Sequence, residues 1–368
     1  MKKYYLLMSF CATTMLFVHC TRDAEHAIGL KSKEELGQKI FFDQHLSNPI
    51  GQSCASCHNP AEAFSDPNHS ITSPGAVLGL FGSRNSPAIT YALYTPPLHY
   101  SSEDETFIGG LFWDGRVNTL EDQAKKPFFN PIEMNLADEA TLAARIRNAD
   151  YYHDYVRFYG DNNADATTIL NNVADALAKF ERTPPFNAFS SKFDFYLKGK
   201  VQLSAEESRG FKLFTSKAKC SQCHITDADP ESGKVLFTDF TYDNIGVPVN
   251  NSSKFFQLPS QFNPLGNQFV DLGLGVTVSN LTDNKGQFKV PTLRNIALSA
   301  PYFHNGVFST LEQVVHFYNS RDADNVVPEV DGNVNDEELG DLKLTSQEEK
   351  QLVAYMKTLT DGYRVNSK

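Results

Sequence analysis

The pentapeptide Cys-x-x-Cys-His occurs twice in this chain, as Cys54-Ala55-Ser56-Cys57-His58 and as Cys220-Ser221-Gln222-Cys223-His224. Two thiols at this spacing can add to the two vinyl groups of a porphyrin while the adjoining imidazole reaches the iron, so each copy reads as a covalent c-type haem attachment site. The chain has six cysteines. Four belong to the motifs, and Cys11 and Cys20 lie in an N-terminal apolar stretch, so none remains for a structural disulfide. A redox dithiol needs no histidine, and a zinc site leaves the pairing of the motifs unexplained. Two haems on one chain imply electron transfer or peroxide chemistry.

Haem attachment of this kind belongs outside the cytoplasm, and the N-terminus agrees. Lys2 and Lys3 precede an apolar run that ends near Val18, too short to be a secure bilayer span, so residues 1–20 read as an export signal to the periplasm. Leu16-Phe17-Val18-His19-Cys20 loosely resembles a lipobox, with an unusual histidine before the cysteine. The mature protein is therefore either soluble after cleavage or anchored by lipid at Cys20. With 33 basic against 44 acidic side chains the chain is acidic, which argues against nucleic acid as a partner. A small basic redox protein, a cytochrome c or a cupredoxin, suits such a surface; plain solubility explains the acidity equally well.

The elements that must position the motifs are helices. At 368 residues the chain exceeds one ordinary core. The expected organisation is the export signal (1–20), an N-terminal cytochrome c-like domain (21–200) and a C-terminal one (201–368), each with one haem. The expected fold is mainly α, with long irregular loops and few short strands. Ser32-Lys33-Glu34-Glu35 and Ser204-Ala205-Glu206-Glu207 each have the spacing of a capping box and open a helix leading into a haem motif. Thr345-Ser346-Gln347-Glu348 opens a third, amphipathic helix, expected to pack across the helix before the second motif. A long helix is expected from about Thr167 to Phe180. Residues 183–200 carry breakers and little periodicity, and residues 227–284 read as an irregular excursion around the second haem.

Between the motifs lie Leu111-Phe112-Trp113-Asp114-Gly115-Arg116, Leu120-Glu121-Asp122-Gln123-Ala124 and Asn130-Pro131-Ile132-Glu133-Met134. After the second come Val290-Pro291-Thr292-Leu293-Arg294-Asn295 and Pro301-Tyr302-Phe303-His304-Asn305-Gly306. In this order and at these spacings the chain resembles the bacterial dihaem cytochrome c peroxidase and MauG superfamily over nearly its whole mature length. The resemblance implies that hydrogen peroxide reacts at the N-terminal haem, ligated by His58, with Glu133 as the acid–base carboxylate and Gln123 as the pocket glutamine. Trp113, the only tryptophan, would carry charge between the haems. Asn85 would help hold a calcium ion there together with the carbonyls of Ser299 and Pro301. Asp114 and Arg116 read as a local ion pair.

Two departures bear on the chemistry. Where many relatives carry a distal histidine in a Ser-Ile-Gly-His loop, this chain has Thr72-Ser73-Pro74-Gly75-Ala76. The first haem is then expected to be five-coordinate or water-bound at rest, with His69 the only histidine nearby. At the position of the usual distal methionine of the second haem stands Tyr318, as in MauG. Leu311, Val314, Val315 and Tyr318 share one helical face, whereas His316 projects about 140° from Leu311. His224 and Tyr318 are the expected pair on the second iron. The expected activity is peroxide reduction with electrons from a small redox protein. The alternatives are MauG-like oxidation of a partner protein's side chains, and electron carriage without catalysis, against which Glu133 and Gln123 argue.

Overall fold

The computed structural model describes residues 29–160, 163–278 and 283–365; the export signal and Cys20 lie outside these. Helices dominate: α1 (Lys33–Phe41), α2 (Leu120–Phe129), α3 (Glu139–Arg147), α4 (Tyr152–Tyr159), α5 (Ala166–Glu181), α6 (Lys192–Leu197), α7 (Ala205–Phe214), α8 (Leu274–Thr277), α9 (Leu311–Ser320) and α10 (Ser346–Lys357). The strands are short and form two antiparallel pairs, β1 (His99–Ser101) with β2 (Thr106–Ile108) and β3 (Tyr242–Asp243) with β4 (Phe288–Lys289). No helix among the described residues is long and apolar enough to cross a membrane.

The helix starts are those expected from local chemistry. Ser204 and Glu207 form a reciprocal capping box, as do Thr345 and Glu348. Ser32 caps α1 through the Glu35 amide, but the Glu35 carboxylate reaches back to the amide of Lys31 instead of closing the box on Ser32. One element departs from expectation. Within the breaker-rich stretch 183–200, Ser191 and Asp194 make a capping box that starts α6. Six residues are too few to show a helical period, so only the cap could have announced it.

The haem-motif helices are held alike in both halves. α1 packs on α5 and α7 packs on α10, each through a glycine. A Cβ at Gly37 would land on the Ala176 carbonyl, and one at Gly210 on the Gln351 carbonyl. Backbone meets backbone at both crossings, which only glycine permits. One apolar core runs from Leu36 to Phe186 and includes Phe41, Leu142, Tyr155 and Val173. A second runs from Phe193 to Leu359 and includes Phe214, Phe237, Val315 and Tyr355. A smaller cluster of Leu80, Phe255 and Leu258, with Ile132 and Phe262 against it, joins the excursion of the C-terminal half to the loop beside the first motif.

Candidate active site

Each motif begins as a single 3-10 turn, Cys54–Ser56 and Cys220–Gln222, closed by the histidine amide donating to the first cysteine's carbonyl at 2.9 Å in both. The histidines are then oriented identically. His58 Nδ1 lies 3.0 Å from the Phe64 carbonyl and His224 Nδ1 2.9 Å from that of Phe237. Committing Nδ1 to a carbonyl leaves Nε2 as the free, basic nitrogen, the arrangement that metal-ligating imidazoles use. Burial keeps both rings neutral, driving His224 down to about 4. The four thiols are unpaired, and burial pushes each up to about 12. Among the described residues no cluster of three or more His, Cys, Asp or Glu is placed to hold a metal. Half-buried, unpaired thiols beside a free imidazole nitrogen suit thioether attachment of a haem.

A large cavity, about 1840 Å³ with its open mouth included, adjoins the second motif. Cys220, Cys223 and His224 line it, as do Leu311, Val314, Val315 and Tyr318, the helical face identified from sequence. The Thr310 cap with Gln313 sets the start of α9 and hence the phase of that face. The Tyr318 hydroxyl makes no hydrogen bond with a described residue. Burial, with Cys223, Cys220 and Asp243 beside it, pushes the phenol well above its ordinary value, so a phenolate there requires a cation in the cavity. His316 is exposed and turned to Glu349 and Asp324, away from the cavity as the wheel predicts. Met356 is buried in the second core and also lines the cavity.

At the first motif, Glu133 sits in the turn that ends α2. Its amide donates to the Asn130 carbonyl at 3.0 Å, and its carbonyl accepts from the Ala76 amide at 2.7 Å. The loop that lacks the distal histidine therefore docks on the acidic residue's own backbone. Burial raises the Glu133 carboxyl above the usual range, with Arg116 and Asn130 pulling the other way, and its charge is felt at the Cys57 thiol. Gln123 lies in the first turn of α2, its backbone amide donating to the Thr119 carbonyl at 3.0 Å; among the described residues no hydrogen bond joins its side-chain amide to Glu133 or to any other group. His69 is exposed and held by the Ala300 carbonyl at 3.0 Å and by Glu62.

Trp113 lies on the wall of the cavity beside the second motif and donates from Nε1 to the Asn85 carbonyl at 2.9 Å. The segment that begins at Asn85 reaches the first motif a few residues on, where the Ile89 amide donates to the Phe64 carbonyl, the same oxygen that holds His58. Trp113 is thus tied to both sites. Asn85, Ser299 and Pro301 all line the cavity. The Asn85 amide nitrogen is spent on the Ser70 and Ile71 carbonyls at 3.2 and 3.3 Å, which leaves Oδ1 for an oxygen-seeking cation.

A family model described as "Di-haem cytochrome c peroxidase" matches residues 31–202. The methylamine utilization protein MauG of Paracoccus denitrificans is 35% identical over 348 residues, covering 89% of this chain and 88% of that one. The chain belongs to the dihaem cytochrome c peroxidase family. Another relative, the cytochrome-c peroxidase IdrP1 of Pseudomonas sp. strain SCT, is 30% identical and covers 89% of this chain and 80% of its own. The dihaem peroxidase BthA of Burkholderia thailandensis superposes with a TM-score of 0.79 at 32% identity, covering 91% of this chain and 87% of its own. As a dihaem peroxidase the protein is an oxidoreductase, and family membership implies covalent c-type haems, which the donor set described above fits.

Several residues of this dihaem peroxidase escaped the sequence reading. Arg84 binds Asp271 through two nitrogens, at 2.6 and 2.7 Å, and Asp114 at 2.7 Å, with Arg116 on the other oxygen of Asp114. The expected Asp114–Arg116 pair is therefore part of a larger buried network that pins the tryptophan loop to the excursion. Lys289 donates its backbone amide to the Trp113 carbonyl at 2.9 Å and its Nζ to the Gly110 carbonyl at 2.5 Å; burial brings it down to about 7. Gln52, bonded to the Pro74 carbonyl at 2.8 Å, keeps a buried Oε1 without a partner. None of these stands at a spacing that marks it, since each acquires its neighbours only on folding.

Proposed function

We propose that this protein is a periplasmic peroxidase that reduces hydrogen peroxide to water at the site headed by His58 and draws electrons from a small redox protein through the site headed by His224. The observation that carries this reading is the inequality of the two sites: a desolvated carboxyl, Glu133, beside the first, and a buried phenol, Tyr318, closing the second. Cys54, Cys57 and His58 would hold one haem, and Cys220, Cys223, His224 and Tyr318 the other. When bound, the haems supply the redox chemistry, passing two electrons to each peroxide.

The protein's own part is proton handling and positioning. Glu133, deprotonated at first, would take the proton from one peroxide oxygen and return it to the departing one, so that the O–O bond breaks heterolytically. Gln123, its side-chain amide free of internal partners, orients the peroxide. Trp113 relays electrons, and Asn85 with the Ser299 and Pro301 carbonyls would hold a calcium ion that stiffens the relay region. The acidic surface favours a basic cytochrome c or cupredoxin as donor.

Steady-state peroxide consumption with a reduced small cytochrome c tests the reading; no consumption by the dihaem protein refutes it. Tyr318 favours a second reading, MauG-like oxidation of side chains on a partner protein, because an anionic oxygen ligand holds iron in the ferric state more firmly than methionine does. Long-lived storage of oxidising equivalents after peroxide, with no turnover of any small donor, would favour that reading.

A further inference from the structure

Tyr91 lies at the junction of the two halves. The segment leading to it runs from Asn85 through Pro87 and Ala88, which line the cavity beside the second motif, to Ile89, which bonds the His58 acceptor Phe64. On its other side stands Arg294, itself part of the cavity wall, with its guanidinium 5.0 Å from the Tyr91 ring centroid and 4.4 Å from that of Phe189. Tyr91 is 2% exposed, so its hydroxyl is shielded from direct contact with bulk water.

That hydroxyl has one proton acceptor. It donates to Asp361 Oδ2 at 2.6 Å and accepts from the Phe189 amide at 3.0 Å. Asp361 is held in place by the Asn295 amide at 2.9 Å on the same oxygen, and by the Ser190 amide at 2.8 Å on the other. Burial pushes the phenol well above its ordinary value, so it is protonated at neutral pH. Tyr91 and Phe189 are both non-glycine residues in the left-handed backbone region, with φ of 64° and 45°. Such strain is retained where the surrounding structure needs a side chain aimed in one direction. Here it sets the two rings edge to face at 4.8 Å, with the half-buried Tyr94 ring next at 5.6 Å from Phe189.

We infer that Tyr91 is a redox-active tyrosine with Asp361 as its proton acceptor, able to hold one of the oxidising equivalents left by peroxide reduction and to lead it through Phe189 to Tyr94 at the surface. This rests on the peroxidase reading, which supplies the oxidant. In the step, one electron leaves the Tyr91 ring for the oxidised haem pair, and the hydroxyl proton moves to Asp361 Oδ2. A neutral tyrosyl and a protonated carboxyl result. An external one-electron donor restores the ring, and the proton returns. A phenol that has lost an electron is a strong acid, so electron loss from the ring is coupled to proton loss. This is the part Asp361 plays. Arg294 is in turn neutralised by Asp194 at 2.9 and 3.0 Å.

The dihaem protein grown on ring-deuterated tyrosine is mixed with hydrogen peroxide without donor and frozen for electron paramagnetic resonance, and peroxide consumption is read in the same sample. The expected result is an organic radical whose hyperfine structure narrows on deuteration, lost in Tyr91→Phe and in Asp361→Asn and kept in Tyr94→Phe. Asp361→Asn is close to isosteric, and therefore tests the proton acceptor even where Tyr91→Phe loosens the junction. Peroxide consumption without a tyrosyl signal, or with a signal undiminished in Tyr91→Phe, overturns this inference alone. Absence of peroxide consumption in the unmodified protein overturns the peroxidase reading and the inference with it.

Discussion

Glu133→Gln separates the chemistry of the first site from its architecture. The turn that carries Glu133 is held by main-chain bonds, its amide to Asn130 and its carbonyl to Ala76, and none of them involves the carboxyl. Glutamine keeps size and shape but cannot accept a proton and give it back. Loss of a positioned acid–base group costs about 10²–10⁴ in rate, which is roughly 2.7–5.5 kcal/mol of transition-state stabilisation. The second-order rate constant for peroxide should fall by that factor in a stopped-flow or steady-state assay, while the haem spectra stay unchanged. The pH profile gives a second measure. Glu133 must start deprotonated, so the activity of the unmodified enzyme should rise with pH through a value above the ordinary 4.5, and this limb should vanish in the variant. Stability should move oppositely. A carboxyl whose folded pKa is raised favours the fold when protonated, and that benefit is lost as pH climbs from 4.5 through the folded value. The variant should therefore match the parent below pH 4.5 and be the more stable of the two at neutral pH. A variant with peroxide reactivity within about a factor of two of the parent, and the pH limb intact, would refute the role of Glu133.

Tyr318→Met should raise the second haem's midpoint potential by on the order of 0.1 V, since axial ligands span about 0.8 V; an unchanged spectrum and potential in spectroelectrochemistry would remove Tyr318 as a ligand. Lys289→Met removes a buried amine whose pKa falls from 10.5 to about 7. The folded state resists protonation of that amine, so any stability gain of the variant should be greatest below pH 7 and fade as pH rises toward 10.5, as read from denaturant titrations across pH. Gly210→Ala drives a Cβ into the Gln351 carbonyl and should cost about 1–3 kcal/mol or more, visible as a lowered melting temperature. Gly332→Ala, with open space around it, should leave the melting temperature close to that of the parent.

Much of this protein could be read before it was folded, because the signals concerned are local. Covalent haem attachment is written in five consecutive residues, and helix starts in four, so the two motifs, the caps at Ser204 and Thr345, and the face of α9 carrying Tyr318 were all legible. Glu133, Gln123 and Trp113 were legible differently, through the resemblance of their order and spacing to a family. Of the three, folding ties Glu133 to the first motif and Trp113 to both, while the side-chain amide of Gln123 acquires no bond among the described residues.

What tertiary structure alone decided is which distant groups share a low-dielectric space. The Arg84–Asp271–Asp114 network joins residues of three separate segments. The neutral state of four thiols, the depressed Lys289 amine and the raised Glu133 carboxyl are consequences of burial, which no local pattern encodes. Tyr91 and Asp361 illustrate the same limit. Alone, one is an ordinary aromatic and the other an ordinary surface acid near the C-terminus. They become a proton-coupled pair only because the two halves close on each other at that point. Spacing determines which residues a short stretch of backbone can present; solvent exclusion, set by the whole fold, determines what charge they carry and which partner they meet.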